Sequence, residues 1–133
     1  MERRINILIL VLIILTVTFV IYTNLPLSKE VIPARFILGE KTGFDLTPGE
    51  LSFGSIEKDH GATRDILISN NFEDPIKITI KSRGEVSNNL IVSENNFRLN
   101  PSESRNVTFS ISTKGLTEFK EYSGEVIIIS RRV

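Results

Sequence analysis

The sequence predicts an all-β domain of two packed sheets, preceded by one transmembrane helix. Three observations predict it. Residues 5–22 form an apolar run without a charge. Beyond residue 34, apolar residues alternate with polar ones at the two-residue period of a strand. Gly, Pro, Asn and Ser cut that alternation at short intervals, and no stretch sustains a 3.6-residue period.

The N-terminal run, Ile5 to Tyr22, spans about 27 Å as a helix, close to the roughly 30 Å of a hydrocarbon core. Asn6 stands at one edge and Tyr22 at the other, where an interfacial aromatic belongs. Thr16 and Thr18 can bond back to helix carbonyls. Arg3 and Arg4 precede the run and predict a cytoplasmic N-terminus, with the remainder on the far side. A cleaved signal peptide is the competing reading. The run is longer than the usual apolar segment of such a peptide, and Thr23 to Ser28 offers no A-x-A pattern. Residues 1–4 are thus read as the cytoplasmic flank, 5–23 as a signal-anchor helix, 24–34 as a linker and 35–133 as the sandwich. Pro26 and Pro33 are what mark the linker as an extended tether.

Strands are predicted at Arg35–Leu38, Glu50–Gly54, Thr63–Ser69, Ile76–Lys81, Leu90–Val92, Phe97–Leu99, Asn106–Ser112 and Tyr122–Arg131. A turn is expected at Leu46–Glu50. Ile76, Ile78 and Ile80 share one face of their strand, opposite Lys77, Thr79 and Lys81. Val107, Phe109 and Ile111 do the same. Gly54, Gly61, Gly84, Gly115 and Gly124 are placed at strand ends and turns. Seven or eight short strands at this spacing suit an immunoglobulin-like sandwich.

Composition narrows the chemistry. The 133 residues carry 16 basic and 16 acidic side chains. Setting aside Arg3, Arg4, Lys29, Glu2 and Glu30 leaves the domain one negative charge from neutrality. No electrostatic footprint for nucleic acid is visible, and no polybasic stretch for anionic lipid. Cysteine is absent, which removes disulfides and thiol chemistry. His60 is the single histidine and falls in a polar loop, Glu57 to Gly61. It reads as a solvated turn residue. Glu57, Asp59 and Asp65 lack the register of a calcium loop. No nucleophile elbow or phosphate-cradling glycine loop occurs. The expectation is therefore a protein without catalytic residues, metal, cofactor or small-molecule substrate.

Two features carry a possible function. Asn106-Val-Thr108 is a glycosylation sequon whose Asn106 should face solvent. Val126 to Ile129 is apolar on both faces, so Ile127 and Ile129 fall where other strands are polar. A strand apolar on both faces is normally buried on both. Either the segment Val31–Leu38 covers Ile127 and Ile129, or a partner does.

Several pieces in order resemble the immunoglobulin-like domains of the ASH/Hydin group, relatives of the major sperm protein fold. They are Leu51-x-Phe53-Gly54-x-Ile56, Arg64-x-Ile66-x-Ile68-x-Asn70, Pro75-Ile76-x-Ile78, Phe97-x-Leu99-x-Pro101, Val107-x-Phe109 and Tyr122-x-Gly124-x-Val126-x-Ile128. The resemblance covers about residues 50–131. It implies a seven-stranded sandwich used for protein–protein contact or as a structural module. The resulting expectation is a membrane-tethered, extracytoplasmic, non-enzymatic module whose partner is another envelope protein or itself. The alternative is a surface filament subunit that assembles by strand addition through residues 24–38.

Overall fold

The computed structural model describes residues 2–43 and 49–133, the side chain of Glu2 excepted. Helix α1 runs Glu2–Asn24. Its window Arg3–Asn24 has a mean hydropathy of 2.9, and none of it is buried inside the protein. A helix that is apolar all round and uncovered by its own chain needs an apolar surround, and this one is long and apolar enough to cross a membrane. Within it, the Thr16 and Thr18 hydroxyls donate to the Leu12 and Ile14 carbonyls at 2.8 Å, as their positions suggested.

Eight strands follow among the described residues. They are β1 Ser28–Leu38, β2 Leu51–Ile56, β3 Gly61–Ser69, β4 Ile76–Gly84, β5 Leu90–Val92, β6 Phe97–Leu99, β7 Ser104–Ser112 and β8 Glu121–Arg132. They form two sheets, ordered β2-β1-β8-β4-β6 and β3-β7-β5. Only the β1–β2 pairing is parallel. The inner faces of both sheets share one core, which includes Phe36, Ile78, Val107, Phe109 and Val126. Residue alternation predicted those inner faces correctly. On β4, Ile76, Ile78 and Ile80 are buried while Lys77 and Lys81 are exposed.

The linker needs correction. Residues 28–34 are not a tether: β1 begins at Ser28 and pairs with β8 from Ser28↔Ser130 to Ile37↔Glu121. Pro33 and the exposed Lys29 and Glu30 made the segment read as solvated chain. Proline is tolerated there because β1 gains its second neighbour only at Ala34, opposite Leu51. The connection between helix and sheet shrinks to Leu25, Pro26 and Leu27. The Leu27 N–H donates to the Ser130 carbonyl at 2.8 Å, so even the last of these is tied down.

β1 is part of the core. Phe36 is fully buried and stacks on Tyr122, its cross-strand partner, with ring centroids 4.8 Å apart. Gly54 and Gly124 also depart from expectation, since both lie inside strands. Gly124 is needed for close approach: a Cβ there would meet the Arg83 carbonyl at 2.3 Å and Val86 at 2.7 Å. Opposite it, Gly84 has φ +88° and ends β4. This contact seats a 3-10 turn, Glu85–Asn88, that alternation could not reveal, and its Val86 is fully buried. The turn expected at Leu46–Glu50 lies mostly outside the described residues.

Three strands of the larger sheet, β1, β8 and β4, meet the helix end at one pole. β1 starts there, β8 ends there, and β4 starts opposite Arg132. The loops Asn70–Pro75 and Asn100–Glu103 close the same pole.

Candidate functional site

Ile127 and Ile129 lie near the middle of β8, itself the central strand of the five-stranded sheet. They are 7% and 8% exposed and stand apart from the core residues Val126 and Ile128. Register explains this burial. Val31 and Lys81 flank Ile127, and Lys29 and Thr79 flank Ile129. Cross-strand partners share a face about 5 Å apart, and lysine stems can lie along apolar neighbours. Two covers were expected for these isoleucines: a partner, or the segment Val31–Leu38. That segment lies instead beside them as β1, and Val31 is the one residue of it opposite either isoleucine.

The same face carries cations the sequence scattered. Arg131 of β8 stands directly opposite Lys77 of β4, and Lys77 directly opposite Arg98 of β6. Lys29 lies two residues along from that row on β1, and Lys81 four residues along β4. All five are exposed. Among the described residues none of the five makes an ion pair, whereas Arg35, Arg83, Arg105, Lys120 and Arg132 do. The acidic residues of this face, Glu121 and Glu125, sit at its other end and pair with Arg35 and Arg83. Lys29 fell in the expected linker, while alternation marked Lys77 and Lys81 as outward. What it lacked was the neighbour order β8-β4-β6, which joins residues far apart in sequence.

Arg132, next to the row, points to the helix. Its guanidinium donates to the Tyr22 hydroxyl and lies 5.4 Å from that ring's centroid. Its Nε is 4.0 Å from Asp74 in the Asn70–Pro75 loop. This end of the sheet is therefore held against the end of α1.

A cleft opens between the sheets at the same pole. Ile66, Leu67, Ile68 and Phe72 line one side, Ser28 and Glu30 the other, with Ile128 also lining it. Glu30 is its one titratable side chain among the described residues. Among the described residues β3 forms the edge of its sheet, with β7 on one side and no strand on the other. Leu67 is 62% and Phe72 40% exposed. Sequence reading placed Ile66 and Ile68 inward but had no means to see that β3 is an edge.

Asn106 is exposed on β7, as the sequon requires, and the Thr108 hydroxyl donates to Asp65 at 2.6 Å. His60 occupies the β2–β3 turn. Its ring Nδ1 lies 2.8 Å from the Lys58 carbonyl, and its backbone N–H donates to the buried Thr113 hydroxyl at 3.1 Å. Asp65 sits on the outer face of β3 with Thr108, away from a shared centre with Glu57 and Asp59. Among the described residues no group of three or more His, Asp or Glu side chains could hold a metal. The Asn100 N–H, followed by the Arg105 guanidinium, lowers the Glu103 carboxyl below its ordinary 4.5. Glu103 and then Glu94 raise Arg105 in turn. Both shifts belong to a surface network that shapes the polar loops.

No family model, curated protein or solved structure matches the chain.

Proposed function

We propose that the protein is a membrane-anchored, extracytoplasmic interaction module without enzymatic activity, and that β3 and its cleft receive an extended segment of a partner. The observation that carries this reading is the open edge of β3 beside exposed Leu67 and Phe72. An unpaired edge offers backbone donors and acceptors, and a cleft beside it, lined by both polar and apolar side chains, supplies side-chain pockets. The partner is another envelope protein or a second copy.

We read the sandwich as immunoglobulin-like, the class of the ASH/Hydin domains it resembles in sequence. Two observations support this. In such folds one sheet orders B-E-D and the other G-F-C with added C′ strands. In space, β3-β7-β5 matches B-E-D and β8-β4-β6 matches F-C-C′, although β5 precedes β6 in the chain and β1 and β2 stand beyond β8 in the last strand's place. Tyr122, near the start of β8, donates from its hydroxyl to the Glu118 carbonyl at 3.0 Å, as the corner tyrosine of those domains does. The use of β1 within its own sheet favours a tethered module over a filament subunit that donates residues 24–38.

The test compares wild type with Leu67→Glu/Phe72→Ser after mild solubilisation from native membranes. Both side chains are largely exposed, so the melting temperature should hold while the co-purifying partner, or the dimer, is lost. A double variant that melts normally and keeps every partner would refute the β3 site.

A further inference from the structure

We infer that the row Arg131–Lys77–Arg98, extended by Lys29, binds the anionic headgroups of the membrane that α1 spans. Three like charges directly opposed on three adjacent strands repel one another, and cross-strand register offers no relief. Salt bridges answer Arg35, Arg83, Arg105, Lys120 and Arg132 elsewhere on the sandwich, yet none answers these three clustered cations among the described residues. A local rule broken without internal compensation points to an external ligand. That ligand is anionic, and it meets a row crossing neighbouring strands about 4.8 Å apart.

Position selects lipid phosphate over an acidic protein. Arg132 neighbours the row and holds the Tyr22 hydroxyl at the end of α1. Three residues separate the helix from β1, whose second residue is Lys29. The row is therefore confined within a few residues of the membrane interface, whatever partner the cleft holds. Cations within roughly a Debye length of an anionic surface are attracted to it, and salt screens that attraction. The inference rests on the anchoring of α1 and is independent of the β3 site.

Full-length protein is reconstituted into nanodiscs of phosphatidylcholine alone and of phosphatidylcholine with about one-third phosphatidylglycerol. Backbone hydrogen exchange is followed in 76–81, 97–99 and 128–132. Anionic discs should slow exchange there by about tenfold or more, and 0.5 M salt should abolish the difference, as surface electrostatics requires. Lys77→Ser/Arg98→Ser/Arg131→Ser should exchange alike in both discs. Relieved of repulsion, it should also melt no lower than wild type in neutral discs, which guards against misfolding as the cause. Wild type that enters both discs but exchanges equally overturns the inference, as does a triple variant that keeps the lipid effect. Failure to enter either disc overturns the anchor instead.

Discussion

Asn70 shows how much one polar side chain can organise. It is fully buried, yet its amide donates to the Asp74 and Leu99 carbonyls at 2.9 and 3.2 Å. Its side-chain oxygen accepts the Phe72 N–H at 2.9 Å. Its backbone pairs with Glu103 and Ser102, joining the two loops of the pole that meets α1. Alanine would leave the Leu99 carbonyl and neighbouring groups unpaired, at about 1–3 kcal/mol for each buried one. Asn70→Ala should therefore lower the melting temperature of full-length protein in micelles, with the largest gain in exchange at 70–75 and 99–103. An unchanged melting curve would mean that water replaces the amide without penalty. Nothing local to Asn70 pointed to this role. Asn at a strand end reads as a turn residue, and only the fold brings Leu99 within its reach.

At the scale of elements, what was legible depended on how far apart the interacting residues lie. β4, β7 and β8 announced themselves because alternation is local, and their inner faces fell as expected. β1 was half missed because Pro33, Lys29 and Glu30 resemble a linker, and its pairing partner lies about 100 residues away. The cation row was invisible for the same reason. Ile127 and Ile129 show both sides of this: alternation flagged them, and register explained them. Flanked by Val31, Lys29, Thr79 and Lys81, they are filled into the sheet surface without a covering layer. Ile127→Lys with Ile129→Lys should forfeit roughly 1.5–3 kcal/mol per side chain and add charge beside Lys29 and Lys81. The melting temperature should fall while co-purification at the β3 edge persists in the fraction still folded. Loss of the partner with an unchanged melting temperature would instead make these isoleucines the docking face.

The whole molecule is a helix and a sandwich joined by three residues, and that shortness decides its behaviour. A long linker would let the domain sample distant partners. Here Leu27 is bonded to Ser130, and Arg132 rests on Tyr22, so this pole of the sandwich cannot part from the end of α1 without breaking both. The segment Ile5–Tyr22 has no charge, and Arg3-Arg4 lies at its start. We propose on that ground that the N-terminus is cytoplasmic and the sandwich outside. Full-length protein should stay in membranes through a carbonate wash. Added protease should reach the domain in intact cells but spare α1. The first cuts should fall within the distal loops, such as Lys114–Lys120, which lie at the pole away from Tyr22. A soluble mature form beginning after Tyr22 would show the helix to be a cleaved signal. Its consequence would be specific, because such a form keeps all of β1 and loses the aromatic that Arg132 rests on. It should fold and still bind at β3, yet float free of anionic vesicles far more readily than the anchored chain.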